Sequence, residues 1–418
     1  MIGRQQLAVA SPISAAALVG AFPASLANRE SVVERARALV SERFGASGAI
    51  LTDSGTSALV LALRLAARST GVVGFPAFAC VDLVAAAQLA GVRVRLYDLD
   101  PATLGPDLDS LERMLERGVD AVIIAHLYGF PADVPAVRER AARYGVAVIE
   151  DAAQGAGATL HGKRLGGFGD LSVLSFGRGK GLCAGQGGAL LAAEPSWSGA
   201  VDAIDLPAPG LGWIGLAKTA AQWTLGRPSL YAIPSRIPWL HLGEMVYHPA
   251  HEPVCMPRGA CALLPSAFAL EAADLQGRRA RAAALTRAAT TVATAGVVAA
   301  IPGSVPSFLR YPVRDLTGRR GIAASIGVLR SYPVTMAQQP QLVPILIDGE
   351  VPVPGAEELR RSLFTLPTHR FVTDPDLAAL ASWLVEGRNL ASGYAVPEAR
   401  PGNVPTSSLD VTTPRLPR

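Results

Sequence analysis

The chain is poor in charge, in lysine and in cysteine. Charged residues fill 17% of the 418 positions and aromatic residues 6%, while half are hydrophobic. So apolar a chain can bury a sizeable core and is not a disordered protein. Lys+Arg number 38 against 34 Asp+Glu, a net charge of +4. That surplus is spread out and forms no basic block, so nucleic-acid binding has no electrostatic footprint. Only three basic residues are lysines, Lys163, Lys180 and Lys218, and chemistry needing a neutral amine has three candidates. Cys80, Cys183, Cys255 and Cys261 show no CxxC spacing and no histidine at zinc-finger distance. Neither a metal site nor a disulfide framework is expected, and reduced cysteines fit a cytoplasmic enzyme. His241, His248 and His251, with Glu244 and Glu252, match no ligand spacing. No G-x-S-x-G or P-loop occurs. The uncharged run from Gln5 to Asn28 has signal-peptide composition, but Pro12 and Pro23 interrupt it and Arg4 is a thin basic flank. No other stretch offers 18 uninterrupted apolar residues, so no transmembrane helix is expected.

What is present is alternation. Between Ile50 and Ala193 short apolar runs alternate with helical stretches. Strands are expected at Val72–Phe75, Val92–Leu96, Val119–Ala125, Val146–Ile149, Ser172–Phe176 and Gly188–Ala192. Helices are expected at Gly55–Arg68, Val81–Ala90, Leu108–Arg117 and Val134–Tyr144. This order predicts a mainly parallel α/β sheet, with ligands beyond the carboxyl ends of its strands. After Glu194 the pattern changes. Residues 206–243 hold no acid, but Lys218, Arg227, Arg236, Trp213, Trp223 and Trp239. Trp213, Ala217, Ala220 and Trp223–Thr224 fall near one helical face. Such a stretch suits weak contact with an anionic membrane surface, or packing at a dimer interface or as a lid. Pro265 to Ala300 reads as helical, Ser307 to Pro333 as a second α/β unit, and Asp374 to Glu386 as a last helix. The expected division is a large domain over residues 1–255, a smaller one over 256–392 and a flexible tail over 393–418.

Four elements carry chemistry. Gly55-Thr56-Ser57-Ala58-Leu59 opens a helix, where free N–H groups and hydroxyls make an anion site or a plain N-cap. Glu150-Asp151-Ala152-Ala153-Gln154 follows a buried strand. A carboxylate there is costly without a cation, and a protonated pyridine nitrogen would serve; the alternative is a helix cap. Ser175-Phe176-Gly177-Arg178-Gly179-Lys180 sets a lysine in a glycine turn after another strand, suited to Schiff-base chemistry if partly desolvated. Gly185-Gln186-Gly187-Gly188 permits close backbone approach, or an ordinary turn.

Taken in order and spacing, with His126-Leu127-Tyr128-Gly129 between the first two, these motifs resemble the DegT/DnrJ/EryC1/StrS family of pyridoxal-phosphate (PLP) aminotransferases. The resemblance is strong over residues 45–195 and continues to Leu366-Pro367-Thr368-His369. It implies the fold-type-I architecture and a homodimer. It implies that Lys180 carries PLP covalently and shuttles a proton, and that Asp151 pairs with the pyridinium nitrogen. Gln154 would bond the phenolic oxygen, and Gly55, Thr56, Ser57 and Ser175 would hold the phosphate. His126 receives no chemical step. The substrates implied are a nucleotide-activated ketosugar and an amino-acid donor, glutamate, in polysaccharide or glycoconjugate synthesis.

Three departures stand out. Cys80 falls at the position where the family stacks an aromatic residue on the PLP ring, with Phe78 two residues earlier, and either could face the ring. Gln186 replaces a glutamate. The family's Asn-Tyr-Arg-Met element is missing, and Met256–Phe268 occupies its place. The rival readings are a PLP-binding regulatory or scaffold protein and a sugar dehydratase. In the dehydratase branch histidine replaces the lysine, so Lys180 speaks against it.

Overall fold

A computed structural model describes residues 4–26, 30–209, 212–232, 234–237, 245–347 and 351–386. The expected tail over 393–418 lies outside them, as do Trp239, His241, Glu244 and the Trp213 side chain.

Seven strands form the main sheet. In spatial order they are Gly48–Thr52, Gly188–Ala192, Leu171–Ser175, Ala147–Asp151, Ala121–Ala125, Val72–Pro76 and Arg93–Tyr97. The five strands from Leu171–Ser175 to Arg93–Tyr97 run parallel. Gly188–Ala192 is antiparallel to both its neighbours. Ala121–Ala125 and Gly188–Ala192 are buried at every residue, as strands covered on both faces must be. Helices Gly55–Ala66, Asp82–Ala90, Leu108–Glu116 and Val134–Ala142 connect the parallel strands and supply that cover.

One boundary matters for chemistry. The strand expected to end at Ile149 continues through Glu150 to Asp151, paired with Ala121–Ala125 on one side and Leu171–Ser175 on the other. Successive strand side chains point to opposite faces. Glu150 and Asp151 therefore part company.

The long helix runs Arg258–Ala289, starting seven residues before the expected Pro265, which it contains. Its first turns bury Cys261, Leu264 and Phe268, and Phe268 meets the Phe44 ring edge-on at 6.4 Å. Its last turns, Ala282, Leu285 and Ala289, cover a four-stranded sheet ordered Ala295–Val297, Tyr311–Asp315, Leu363–Leu366 and Leu329–Arg330. This sheet is antiparallel throughout, unlike the main one. Trp383 of the helix Asp374–Glu386 packs on Phe364 there, with ring centres 5.4 Å apart.

The uncharged N-terminal run is built into this body. Leu7, Ala10, Ile13, Leu18 and Ala21 are buried, and Arg4 grips Asp376 at 2.5 Å. The helix Ala15–Leu26 packs against the long helix and against the helix Gly212–Leu225. In the latter the expected face is rotated. Leu216 and Thr219 turn inward, whereas Ala217 is exposed. The Trp223 indole N–H donates to the Ile13 carbonyl at 3.1 Å, which fixes that rotation.

Candidate active site

A cavity of about 250 Å³ opens at the carboxyl ends of the parallel strands, where open α/β sheets bind ligands. Gly55, Thr56, Cys80, Asp151, Gln154, Ser175 and Lys180 line it. Residues from four separated motifs thus meet in one place. Ser57 and Phe78 are not among the lining residues.

The helix Gly55–Ala66 begins at this cavity. Ser54 caps it, its hydroxyl accepting the Ser57 N–H at 3.0 Å. The Ser57 hydroxyl lies 2.9 Å from the same oxygen. Ser57 is thereby engaged in the cap through both its N–H and its hydroxyl. The N–H groups of Gly55 and Thr56 have no partner within the helix and stand at its positive end. A Cβ on Gly55 would fall 2.8 Å from Ser175 Cβ, so glycine is what lets the Ser175 hydroxyl approach this helix start.

The side-chain carboxylate of Asp151, the last strand residue, receives one hydrogen bond among the described residues, from Ala153 N–H at 3.0 Å. Burial pushes its carboxyl up, opposed by that bond and by the charge of Lys180. A half-satisfied buried carboxylate of this kind is stabilised by a cation placed against it. Glu150 is its opposite. Fully buried on the other face, it accepts from Gly166, Phe168 and Gly169 N–H at 2.6, 2.7 and 3.1 Å, and from Ser172 Oγ at 3.0 Å. A fifth bond, of 2.9 Å, comes from His126 Nε2. Burial pushes the Glu150 carboxyl up, but His126 and the backbone donors outweigh it and hold it below its usual value. His126 Nδ1 accepts the Ala132 N–H at 3.0 Å, which leaves Nε2 to donate to Glu150. His126 is thus a brace for Glu150.

Lys180 ends the turn that follows Leu171–Ser175 and makes no ion pair among the described residues. Lys163 and Lys218 are exposed, and Lys163 lies over the Phe168 ring. The next turn is held by Gly185 at φ +81°, where a Cβ would meet Thr219 Oγ1 at 2.0 Å. Gln186 also lines the cavity.

Gln154 is oriented by two bonds. Its carbonyl accepts Tyr128 N–H at 3.1 Å and its amide donates to Tyr332 OH at 3.0 Å. One amide hydrogen remains for a ligand. Of the two ring-wall candidates, Cys80 lines the cavity and its thiol donates to Asp82 at 3.4 Å. Phe78 is buried behind it, 5.0 Å from the Tyr332 ring.

Sequence reasoning missed Asp53, Asp82 and Tyr332. Asp53 and Asp82 line the cavity beside Ser54 and Cys80, and adjacency to those motifs was the available signal. Tyr332 arrives from the loop that follows the distant strand Leu329–Arg330 and left none. Of the 241–252 stretch, whose histidines and acids match no ligand spacing, His251 and Glu252 make separate contacts. His251 pairs with Asp53 at 3.1 Å, whereas Glu252 pairs with Arg64 at 2.8 Å.

The fold is that of the PLP-dependent transferases of fold type I. A sugar aminotransferase of Micromonospora echinospora superposes with a TM-score of 0.69 at 21% identity, covering 93% of this chain and all of that one. A GDP-4-keto-6-deoxy-D-mannose-3-dehydratase of E. coli gives 0.71 at 16%, covering 91% of this chain and 99% of its own. The sequence profile of the DegT/DnrJ/EryC1/StrS aminotransferase family matches residues 29–207. Over 163 residues the chain is 36% identical to UDP-N-acetyl-3-dehydro-alpha-D-glucosamine 3-aminotransferase of Acidithiobacillus ferrooxidans, covering 38% of this chain and 44% of the relative. Over 147 residues it is 35% identical to dTDP-4-dehydro-2,3,6-trideoxy-D-glucose 4-aminotransferase of Saccharopolyspora spinosa, covering 35% of this chain and 38% of the relative. The match thus spans less than half of those relatives. Among the described residues no helix is long and apolar enough to cross a membrane.

Proposed function

We propose that the chain is a PLP-dependent aminotransferase that moves an amino group from an amino acid, glutamate, to a nucleotide-activated ketosugar for polysaccharide or glycoconjugate synthesis. It works as a cytoplasmic homodimer, with the domain boundary near residue 255, where the long helix begins. The observation that carries this reading is the meeting of Lys180, Asp151 and the Gly55 helix start in one cavity.

These residues fit the cofactor on their own chemistry. Asp151 is a buried carboxylate in want of a cation, as a pyridinium nitrogen supplies. The first N–H groups of the Gly55–Ala66 helix, with the Thr56 and Ser175 hydroxyls, suit a phosphate dianion. Gln154 is held with an amide hydrogen to donate, which suits a phenolate oxygen. When bound, PLP supplies an electron sink for the carbanion left by loss of a proton from the amino acid. Lys180 binds the cofactor covalently and then holds and returns that proton. Asp151 keeps the ring nitrogen protonated. Cys80, lining the cavity beside the helix Asp82–Ala90, would bound the cofactor on that side. A dehydratase shares the fold, so fold alone does not select the reaction; the amine of Lys180 favours transfer.

Borohydride reduction followed by peptide mapping tests the reading. The reduced cofactor should be found on Lys180. A label on Lys163 or Lys218 overturns the assignment.

A further inference from the structure

A second cavity, also about 250 Å³, borders the same turn through Arg178, two residues before Lys180. Leu7, Val9 and Ile13 of the N-terminal segment form one wall, and Trp223, Leu225 and Phe371 face them. Its polar groups are the guanidiniums of Arg178 and Arg370, the Tyr231 hydroxyl and the Gln222 amide. Arg370 donates to the Ile13 carbonyl at 3.0 Å and has no carboxylate partner among the described residues. The side chains of Arg178, Tyr231 and Gln222 have no hydrogen-bond or ion-pair partner among the described residues. No acid lines the cavity, and none occurs from residue 206 to 243. The helices Ala15–Leu26 and Gly212–Leu225, packed together beside it, leave Val19, Phe22, Ile214 and Leu225 in solvent, Val19 by 75%.

We propose that this cavity binds an anionic lipid, with its phosphate ester on Arg178 and Arg370 and its chain between Leu7, Ile13 and Leu225. Both guanidiniums are exposed and lack a carboxylate partner among the described residues, so an anion can reach them. The aliphatic walls and the exposed apolar rim specify what that anion is attached to. A nucleobase is poorly served here. The Trp223 indole carries the Arg227 guanidinium over its ring at 4.2 Å and has its N–H on Ile13. Gln222 alone offers a paired donor and acceptor to a base edge. The site also touches the catalytic turn. Ser11, on the lining segment, accepts the Gly179 N–H at 2.8 Å, and a Cβ on Gly179 would meet Val9 at 2.9 Å. Lipid in the cavity therefore presses on the segment that holds the turn carrying Lys180, which ties the enzyme's site to a membrane-borne ligand.

Binding is read without turnover, so the proposal stands or falls apart from the aminotransferase reading. The full chain is titrated with dodecyl phosphate below its micellar concentration, following tryptophan emission. Dodecyltrimethylammonium, inorganic phosphate and uridine diphosphate serve as comparison probes. Dodecyl phosphate should bind saturably, with the signal lost in Trp223→Phe. Arg178→Gln should weaken it about tenfold, the scale of one charge-assisted contact. Ala221→Trp, at an exposed lining position, should block it. Flotation with vesicles containing phosphatidic acid, but not phosphatidylcholine alone, should follow the same variants. Equal binding of the cationic amphiphile, or dodecyl phosphate binding unchanged in both Arg178→Gln and Ala221→Trp, overturns the proposal. Uridine diphosphate binding that Ala221→Trp abolishes overturns it in favour of a nucleotide site.

Discussion

Replacing either of two adjacent carboxylates by its amide should have opposite consequences. In Glu150→Gln the side chain keeps its shape, but one oxygen becomes an NH2 group. Glu150 Oε1 accepts from His126 and Gly166, and Oε2 from Phe168, Gly169 and Ser172. Whichever way the amide turns, its nitrogen faces at least two donors. Ser172 can rotate to accept, but the backbone N–H groups cannot. Each buried donor left unpaired costs about 1–3 kcal/mol, and breaking a buried charge network about 3–5 kcal/mol. We expect Glu150→Gln to lose about 3–5 kcal/mol at pH 7. Asp151→Asn keeps its acceptor for Ala153 N–H and sheds a charge that burial disfavours. It should change stability by less than about 1 kcal/mol while losing most of its affinity for PLP. Guanidinium unfolding at fixed pH, with unchanged slope, gives the first pair of numbers, and equilibrium dialysis against PLP gives the second. The pH trends have opposite signs. The lowered pKa of Glu150 contributes stability that is lost as pH falls below about 4.5, its unfolded value. The raised pKa of Asp151 makes its ionised form a cost at neutral pH, relieved on acidification. If Glu150→Gln is as stable as the parent, or Asp151→Asn falls as far as Glu150→Gln, the division of labour along this strand is wrong.

Two further outcomes follow from contacts already described. Gly55→Ala should destabilise the chain by about 1–3 kcal/mol through overpacking against Ser175. Adding Ser175→Gly should restore much of that stability in denaturant but not PLP affinity. His369 is buried, donates from Nε2 to the Leu7 carbonyl at 3.0 Å, and is pulled down to about 4 by burial, with nearby arginines adding to it. Its stabilisation is complete above the unfolded value near 6.5 and fades toward pH 4, by about 2–3 kcal/mol between pH 7 and pH 4.5. A His369→Asn chain should show a correspondingly flatter acid limb in unfolding experiments, and equal limbs would refute the assignment.

Most of the main sheet was legible because its strands are buried on both faces and read as continuous apolar runs. Ala121–Ala125 and Gly188–Ala192 are the clearest. The first strand, Gly48–Thr52, was not distinguished, since its antiparallel pairing with Gly188–Ala192 is a long-range contact without a local mark. The strand at 147–151 ran two residues past its apolar part because Glu150 is satisfied by donors from a loop sixteen or more residues away. Pro265 looked like a helix start and proved internal. The motifs located the cavity but not which of their atoms were free. That Ser57 is taken by the Ser54 cap, and that Phe78 stands behind Cys80, are facts of packing. The rotation of the helix Gly212–Leu225 was set by one indole bond to Ile13, a partner two hundred residues away.

The presence of a cysteine at position 80, where the family resemblance leads one to expect an aromatic ring, bears on how this cavity is built. Phe78, Tyr332 and Tyr128 form a run of rings behind the wall, with centres 5.0 and 6.0 Å apart. That run is tied to the cavity through Tyr332 OH on Gln154, and its other end is fixed by the Tyr128 hydroxyl on Ser331. Aromatic mass thus stands behind the wall, where it positions a polar side chain. Cys80 gives less contact area to a flat ligand than a ring would. Its thiol, pushed up by burial beside Asp82, stays protonated and is a weak donor rather than a nucleophile. Under the proposed function, the cofactor's hold would rest more heavily on the helix start at Gly55–Thr56 and the carboxylate of Asp151 than on its face. Cys80→Tyr tests this directly. The larger side chain should tighten PLP binding if the face is under-filled, read as a lower dissociation constant with the Lys180 label unchanged. Weakened binding with an intact fold would show instead that the cavity is shaped around the thiol.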